Sequence, residues 1–343
     1  MKYNEKILIT GGTGMVGKHL EELMLVDAYD QMGIADRLMR KIPNVKFIGS
    51  LDCDLRDWNA VDKLFNDFNP ERVIHLAAKV GGIQANINSP ADFYEDNVLM
   101  NTNLLKASKK YNVKRFTGML STCIYPNTVP NYPMTEEDLF NGPPAETNHA
   151  YAYAKRVMAV HINAYNTQYN TKYNYLISPN LYSEHDNFEH GEKMHFITAL
   201  LKKIREADIK KIKTIKLLGT GKPLRQFMYA KDLALAILTM IQKDITESFN
   251  VAPNFNYSID EMAKMSIQSL NKKLKINYPS TALDGQYRKD VSSAKMLKLM
   301  PNFKFTGFKQ GIKKVYNAIL ENKYNEEKGT YNWNKRTRRF IFS

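Results

Sequence analysis

The sequence predicts an α/β protein in which a doubly wound parallel sheet is followed by a smaller C-terminal region, and three observations favour this fold. Residues 6–10 form an apolar segment that runs directly into a glycine-rich stretch at residues 11–17. Short apolar segments then alternate with longer helical patterns, as in parallel strands joined by helices. A Tyr151-x-x-x-Lys155 pair follows a strand that would end at Ser121.

Composition sets the class of protein. The chain has 343 residues, of which 43% are hydrophobic and 24% charged, as is usual for one large or two ordinary globular domains. There is no apolar run long enough to span a membrane, and the N-terminal residues do not resemble a signal peptide. The two cysteines, Cys53 and Cys123, form no disulfide framework. We therefore expect a cytoplasmic protein with no membrane partner.

The net charge of +14 raises the question of nucleic-acid binding. Much of the excess lies in residues 202–216 and in the tail from Lys328, and neither segment matches a nucleic-acid-binding motif. A basic surface also suits a dinucleotide and a nucleotide-diphosphate substrate. We predict no nucleic-acid partner; a nucleic-acid binder would instead associate through these segments with strong salt dependence.

The glycine-rich stretch predicts a dinucleotide site. Gly11, Gly14 and Gly17, with Met15 and Val16 between the last two, lie between a strand and a helical pattern that continues through Leu25. At this spacing glycines allow a tight turn, close approach of a pyrophosphate and close helix–strand packing, and the helix N-terminus offers free N–H groups. This position favours dinucleotide binding over an ordinary turn.

The second strand has two interpretations. If it is residues 45–50, its tip carries Gly49 and Ser50 and leaves room for the 2′-phosphate of NADP(H). If it is residues 32–35, Asp36 stands at the tip, where an acidic side chain binds the ribose 2′-hydroxyl of NAD. We favour residues 45–50 and NADP(H).

The remaining nucleotide-binding segments follow in order. Asp54 and Leu55 are placed to hold adenine, and the small residues Ala77 and Ala78 would let the cofactor pass close to the backbone. Further elements are predicted as helices at 59–68, 92–111 and 151–168, strands at 73–78, 115–120 and 174–177, and a glycine loop at 79–83.

Tyr151 and Lys155 would share one face of their helix, because residues four apart are neighbours there. A nearby ammonium favours phenolate and would lower the pKa of Tyr151. A tyrosine of this kind can give a proton to a carbonyl oxygen while hydride arrives at the carbon.

The second half predicts shorter elements and no metal site. Helices are expected at 196–205, 231–241, 258–270 and 311–321, strands at 215–218 and 248–251, and a mobile tail from about residue 322. His185, His190 and His195 do not have a persuasive metal-ligand spacing, and no HExxH is present.

Several motifs carry a resemblance to a known family. Strand–GGTGMVG–helix, DCDL, HLAAK, Ser-x-Cys and YxxxK, in this order, resemble the extended short-chain dehydrogenase/reductases. The motifs HLAAKVGGI, STCIYP, NGPP, YAYAK, HDNF, GTGKPLRQF and DGQYRK are similar to those of the GDP-L-fucose synthase family, over residues 5–320. The resemblance implies a Rossmann-type fold, NADPH, and 3,5-epimerisation and 4-reduction of a GDP-4-keto-6-deoxyhexose.

The resemblance also implies catalytic roles. Cys123 would be the base and His195 the acid in epimerisation, Tyr151 would protonate the C4 oxygen, Ser121 would hydrogen-bond that oxygen, and Lys155 would tune Tyr151 and bind the nicotinamide ribose. A thiolate is a reasonable base and an imidazolium a reasonable acid for such proton transfers.

Binding residues are assigned in the same way. The cofactor set is Gly11, Gly14, Met15, Val16, Gly17, Asp54, Leu55, Ala77, Ala78, Lys155, Asn180 and Leu181. The substrate set is Lys203, Leu218, Arg225 and Asp284, with Lys203 and Arg225 near the diphosphate. The helices at 92–111 and 151–168 resemble those that form a four-helix bundle in dimeric members of the family, so we expect a homodimer.

Departures from the family pattern leave alternatives open. Leu218 stands where the family usually has tryptophan, and Ser183 and Glu184 replace Gly-Pro before HDNF. The sequence therefore indicates the reaction type more firmly than the identity of the sugar, and a 6-deoxyheptose is an alternative substrate. The rivals are a C4 reductase without epimerisation and a non-catalytic NADP(H)-sensing protein.

The predicted organisation has three parts. Residues 1–178 and 226–255 would form the NADP-binding domain, residues 179–225 and 256–321 the substrate-binding region, and residues 322–343 a basic tail.

Overall fold

The computed structural model describes residues 4–29, 42–186, 195–279, 285–327, 331–334 and 339–342, with side chains as far as residue 321. No helix among these residues has the length and apolar character needed to cross a lipid bilayer.

Six parallel strands form the central sheet of this described part. They are β1 (Ile7–Thr10), β2 (Val45–Ile48), β3 (Arg72–His75), β4 (Arg115–Ser121), β5 (Asn174–Ser178) and β10 (Phe249–Asn250), in the spatial order β10-β5-β4-β3-β1-β2. The predicted doubly wound parallel sheet is confirmed. The chain moves from β1 outward to β2 and then to the other side of β1, so the order switches between β1 and β3, where such folds bind ligands.

The helices of the sheet domain lie on both faces. They are α1 (Met15–Ala28), α2 (Trp58–Phe68), α3 (Ile83–Asn88), α4 (Pro90–Lys110), α5 (His149–Tyr169) and α7 (Ala230–Gln242). Successive side chains of β1 point to opposite faces: Leu8 packs with the core of α2, α4 and α5, whereas Ile7 and Ile9 pack with that of α1 and α7. Burial of apolar side chains on both faces explains why β1 is entirely apolar before Thr10.

A smaller region covers the carboxyl end of the sheet. Helix α9 (Ala294–Leu299) packs on β10 of the sheet. The elements of the smaller region are β6 (Asn180–Tyr182), α6 (Phe196–Ile209), β7 (Thr214–Lys216), β8 (Leu224–Arg225), β9 (Phe227–Tyr229), β11 (Tyr257–Ser258), α8 (Ile259–Ser269), β12 (Lys275–Asn277), β13 (Arg288–Lys289) and α10 (Phe308–Glu327). It has its own apolar core, which includes Ile197, Leu201, Met262 and Ile312. Ser258 and Glu261 form a capping box at the start of α8.

The structure corrects several boundaries. Residues 45–48 form β2, as favoured; the rival strand at 32–35 and Asp36 lie outside the described residues. The strand predicted at 73–78 already ends at His75, because residues 76–78 leave the sheet along the cavity described below. Helix α3 begins within the predicted glycine loop and was not foreseen.

The C-terminal end also differs from the prediction of a mobile tail beginning near residue 322. Helix α10 continues to Glu327. Strands β14 (Tyr331–Asn334) and β15 (Arg339–Phe342) then pair antiparallel.

Candidate active site

One cavity of about 1320 Å³ runs across the carboxyl end of the sheet. Its wall includes every predicted catalytic residue: Ser121, Cys123, Tyr151, Lys155 and His195. It also includes the whole predicted cofactor set, from Gly11, Gly14, Met15, Val16 and Gly17 through Asp54, Leu55, Ala77 and Ala78 to Asn180 and Leu181. The topology therefore places both groups of side chains around one space.

The loop after β1 has the backbone that its glycines predict. Gly11 adopts φ +70°, and a Cβ there would lie 2.6 Å from the backbone nitrogen of Ala77. A Cβ on Gly17 would lie 2.5 Å from the Cα of Gly12, so only glycine allows α1 to pack this closely on the loop. Gly14 is the N-cap of α1, and it lines the cavity together with Met15, Val16 and Gly17 of the first helical turn. This is a geometry that fits a dinucleotide pyrophosphate.

The adenine end carries a network of charged side chains. Asp54 accepts two hydrogen bonds from the guanidinium of Arg56, at 2.9 and 2.8 Å. Arg56 also binds Asp96, which in turn accepts a hydrogen bond from Lys79. Ser50 lines the cavity at the tip of β2, as the NADP(H) interpretation predicts.

The predicted catalytic pair, Tyr151 and Lys155, lies on α5, opposite the end of β4. The Lys155 ammonium is buried and donates to the backbone carbonyl of Met119 at 3.0 Å. Burial lowers the pKa of Lys155 to about 8. The Tyr151 ring stands edge-on to that of Phe93, with centroids 6.3 Å apart.

The expected lowering of the Tyr151 pKa by Lys155 is wrong for this structure. Burial raises the pKa of the phenol, and the charge on Cys123 raises it further. Desolvation outweighs the nearby ammonium, whose hydrogen bond goes to Met119 instead. The phenol is consequently protonated at neutral pH, which is the form that a proton donor requires.

Cys123 lies in a 3₁₀ turn, Thr122–Ile124, directly after β4. Burial raises the pKa of its thiol. The charge of Lys289, a hydrogen bond with Ser121 and the charge of Lys155 all act in the opposite direction and favour the thiolate. Burial therefore makes the thiolate costly to form, and the two cations offset part of that cost.

His195 is the N-cap residue of α6. Its Nδ1 lies 3.0 and 3.2 Å from the two carboxylate oxygens of Asp186, and this hydrogen bond raises the pKa of His195 despite burial. The hydroxyl of Thr198 donates to the same carboxylate. The imidazolium, which is the acid form, is therefore stabilised.

The substrate end matches the sequence prediction in part. Leu218 and Arg225 line the cavity, and the Leu218 side chain is 77% exposed. Lys203 is not in the wall, because its ammonium donates to the carbonyl of Lys216 at 2.7 Å on the outer side of α6. Asp284 lies outside the described residues.

Two residues of this site were not identified from the sequence. Asp186 and Lys289 lie within the quoted motifs HDNF and DGQYRK, but nothing in those motifs indicates which partner each would meet. Asp186 meets His195, nine residues along the chain. Lys289 is next to Arg225 across β8 and β13, and both line the cavity.

Comparison with known proteins places this geometry in a family. The family model described as "NAD dependent epimerase/dehydratase family" matches residues 7–252. The chain belongs to the NAD dependent epimerase/dehydratase family. The match includes the glycine-rich loop, β4 and α5, and hence most of the cavity wall.

Among curated members of this family, the GDP-L-fucose synthase of Dictyostelium discoideum is 34% identical over 92% of this chain and 95% of its own length. The probable GDP-L-fucose synthase of Drosophila melanogaster is 32% identical over 93% and 98%. These relatives extend well beyond residue 252, so the similarity includes the smaller region.

Solved structures of the family agree. A GDP-L-fucose synthetase from Naegleria fowleri bound to NADP has a TM-score of 0.79 at 33% identity, covering 94% of this chain and 96% of the other. A GDP-mannoheptose C4 reductase from Campylobacter jejuni with NADP bound has a TM-score of 0.78 at 27% identity, covering 93% and 99%.

Proposed function

We propose that this protein is an NADP(H)-dependent epimerase and reductase that converts GDP-4-keto-6-deoxy-D-mannose to GDP-L-fucose. The observation that carries the proposal is the single cavity in which Cys123, His195 and Tyr151 meet the glycine-rich loop. A base, an acid and a second proton donor around one space are what epimerisation followed by ketone reduction requires. The names of the most similar curated relatives support this substrate over other nucleotide sugars.

The proposed epimerisation uses the carbons next to the C4 ketone. The Cys123 thiolate removes a proton from C3 or C5, and the ketone stabilises the resulting enolate. His195, held as imidazolium by Asp186, gives a proton to the opposite face. Each step leaves Cys123 protonated and His195 neutral, so a proton must return from the thiol to the imidazole through solvent before the next step.

The proposed reduction uses Tyr151. Bound NADPH supplies the hydride for C4. The phenol of Tyr151 donates its proton to the C4 oxygen, which Ser121 orients. Lys155 would bind the nicotinamide ribose, and its positive charge would help the phenolate that remains. The residues proposed to hold the cofactor are those of the glycine-rich loop together with Asp54, Leu55, Ala77, Ala78, Asn180 and Leu181.

The proposed diphosphate site is made by Arg225 and Lys289. The two cations are neighbours on paired strands and both reach the cavity wall. Arg225 offers a planar group for bidentate hydrogen bonds to phosphate, and Lys289 adds a point charge near Cys123. Asp284 remains a proposed sugar ligand on the family resemblance alone.

The experiment that tests this function is incubation with GDP-4-keto-6-deoxy-D-mannose and NADPH in deuterated water, with the product identified by NMR. GDP-L-fucose carrying deuterium at C3 and C5 is the expected product. A C4-reduced sugar without deuterium would instead identify a plain C4 reductase. Absence of NADPH oxidation with any GDP-4-keto sugar would favour the non-catalytic NADP(H)-sensing alternative.

The C4-reductase alternative has a specific observation behind it. Several solved structures of similar shape are heptose-modifying enzymes of Campylobacter jejuni, among them the C4 reductase and a GDP-6-OMe-4-keto-L-xylo-heptose reductase at 26% identity and a TM-score of 0.80. The exposed Leu218 at the substrate end also leaves the sugar less constrained than a large aromatic side chain would. A GDP-4-keto-6-deoxyheptose should therefore be offered in parallel.

The coenzyme preference can be tested at Ser50. Replacing Ser50 with Asp places a carboxylate at the tip of β2, where it would repel a 2′-phosphate. We expect the KM for NADPH to rise at least about tenfold, since ~1.4 kcal/mol of repulsion is sufficient, and the KM for NADH to fall. Steady-state kinetics with both coenzymes measure this. Ser50→Asn, of similar size without the charge, is the control, and an unchanged KM for NADPH in Ser50→Asp would contradict the placement.

The role of Asp186 can be tested through the pH dependence of exchange. Because the hydrogen bond to Asp186 raises the pKa of His195, Asp186→Asn should lower that pKa and move to lower pH the limb of the C3/C5 deuterium-exchange profile that reports His195. NMR titration of His195 measures the shift directly, with His161 on α5 as the reference imidazole. Equal His195 pKa values in the two proteins would exclude the proposed positioning.

The same pKa shift predicts a pH dependence of folding stability. A group whose folded pKa is raised contributes stability that is fully present below its unfolded pKa, ~6.5 for histidine, and is lost as pH rises through the folded value. The difference in unfolding free energy between wild type and Asp186→Asn should therefore be larger near pH ~6 than near pH ~9. Chemical denaturation at both pH values measures it.

We also propose a homodimer formed through α4 and α5. The two helices pack together along the sheet and leave apolar side chains exposed, among them Tyr94, Leu99, Val157 and Val160. A second copy would cover this surface as a four-helix bundle. Light scattering should give a dimer for the wild type and a monomer for a Leu99→Glu, Val160→Glu variant.

The proposed location is the cytoplasm. Both cysteines are free and buried, and a thiol base must stay reduced to act. No nucleic-acid partner is part of the proposal; the basic surface instead suits the two phosphorylated small molecules.

A further inference from the structure

A second cluster of titratable side chains lies outside the catalytic cavity. His19 and Glu22, one turn apart on α1, meet His185, which follows β6. His19 Nδ1 is 3.3 Å from one carboxylate oxygen of Glu22, and His185 Nε2 is 2.9 Å from the other. One nitrogen or oxygen of each residue lies within 4.8 Å of the others. Two imidazoles and a carboxylate from two distant parts of the chain thus point at one another.

The remaining nitrogen of His19 has polar partners of its own. Its Nε2 lies 2.9 Å from the Ser183 hydroxyl and 3.6 Å from Glu184 Oε2. That carboxylate oxygen is buried and accepts no hydrogen bond within the described part of the chain, whereas Glu184 Oε1 accepts one from Tyr229 at 2.6 Å. This arrangement draws the Nε2 proton of His19 toward Glu184. The lone pair of Nδ1 then faces Glu22 and His185.

We propose that His19, Glu22 and His185 bind a divalent transition-metal ion, with Zn²⁺ as the best match. Two histidines and one glutamate are a recurrent zinc ligand set, and tetrahedral ligands at ~2.0–2.1 Å lie about 3.3 Å apart. His19 Nδ1 and Glu22 Oε2 are already at that separation, and His185 Nε2 lies 2.9 Å from the other oxygen of the same carboxylate. A histidine ligand usually donates its second N–H to a carboxylate, which is the position of Glu184 relative to His19.

Charge and access favour the same ion. The carboxylates of Glu22 and Glu184 lie beside the imidazoles. A bound dication would balance their negative charge, so both imidazoles could remain neutral. His19 is fully buried, but the side chains of Glu22 and His185 are 40% and 24% exposed, so an ion can enter from solvent and keep a water molecule as fourth ligand. Such an ion would join α1 of the nucleotide-binding domain to the segment that carries Asp186.

The sequence predicts no metal site, because the spacing of His185, His190 and His195 is not persuasive, only two cysteines exist and no HExxH is present. His190 lies outside the described residues, and His195 is held by Asp186. Glu22 on α1 and His185 are 163 positions apart in the sequence. They come together only in the folded chain.

The test is metal binding by the full-length protein, measured independently of sugar turnover. After removal of metal with a chelator, the protein is titrated with Zn²⁺ against a fluorescent competitor, and bound metal is counted by mass spectrometry. Co²⁺ absorption then reports the coordination geometry. We expect one Zn²⁺ per chain and the intense visible bands of four-coordinate Co²⁺. Glu22→Gln and His185→Ala should each weaken Zn²⁺ binding by at least about tenfold, because loss of even an outer partner that hydrogen-bonds to a ligand costs about that much.

Controls separate this site from the others on the chain. His161→Ala removes a histidine of α5 and should leave the affinity unchanged, and Cys123→Ser removes the thiol of the catalytic cavity. His19→Ala is avoided because His19 is fully buried. The proposal is overturned if fewer than about one chain in ten binds Zn²⁺ at micromolar free metal. It is also overturned if Cys123→Ser abolishes binding or if Glu22→Gln and His185→Ala retain full affinity.

Discussion

Replacing Tyr151 with Phe is expected to lower kcat for C4 reduction about 10³-fold, within the range that a general acid contributes. The C4 oxygen would lose its proton donor, and among the described residues that line the cavity no other phenol could protonate the alkoxide. Folding should be little affected, because the Tyr151 hydroxyl makes no hydrogen bond with the described residues. NADPH oxidation followed at 340 nm under saturating sugar measures the loss.

The same variant should continue to exchange C3 and C5 protons. Cys123 and His195 are untouched, so deuterium incorporation from deuterated water should proceed at a rate close to that of the wild type. A variant that loses both activities would mean that Tyr151 takes part in epimerisation or in binding, and a variant that keeps reduction would remove Tyr151 from the mechanism. Tyr153→Phe, two residues along α5, is the matched control and should retain both activities.

Replacing Cys123 with Ser should have the complementary effect. A hydroxyl is a far weaker acid than a thiol, so serine provides no base at accessible pH, and exchange at C3 and C5 should fall by about 10²–10⁴-fold. The substitution is nearly isosteric, and the residue sits at the end of β4 in a tight turn that serine tolerates. Deuterium incorporation, read by NMR before any NADPH is added, measures the loss.

The outcome separates two functions. If Cys123→Ser still oxidises NADPH and yields an unepimerised C4-reduced sugar, then base and reductive acid are distinct groups, as proposed. Undiminished exchange in this variant would show that another residue is the base. Cys53→Ser serves as the thiol control, because Cys53 is buried beside Asp54 and Leu55, in the part of the cavity wall proposed to hold adenine, and should change exchange by less than about twofold.

The pH dependence of exchange in the wild type follows from the two shifted groups. Burial raises the pKa of Cys123, and Asp186 raises that of His195. Exchange requires thiolate and imidazolium together. A rise in pH forms more thiolate but removes imidazolium, so the fraction of protein with both groups in the required form passes through a maximum. We expect a bell-shaped profile. Lys289→Met removes a charge that favours the thiolate and should shift the thiol limb to higher pH. A profile independent of Lys289 would mean that its charge does not reach the sulfur.

The sequence by itself determined the parts whose physics is local. A strand followed by closely spaced glycines and a helix can adopt few other backbone conformations. Gly11 has a positive φ, and Gly17 packs too closely on the loop for any Cβ. The i, i+4 relation of Tyr151 and Lys155 is a property of any helix, and the apolar strands needed two covered faces. These features predicted the parallel sheet, the dinucleotide loop and the shared helix face of Tyr151 and Lys155.

The tertiary structure decided everything that depends on long-range contact and desolvation. Lys155 gives its hydrogen bond to Met119, so the pKa of Tyr151 rises where helix geometry alone predicts a fall. Lys203 donates to the carbonyl of Lys216 and does not line the cavity, whereas Lys289 does. His19 and Glu22 lie close to His185 only because α1 packs beside the residues that follow β6. Sequence spacing fixes which residues share a helix face, whereas burial and the partner of each charged atom are properties of the folded chain.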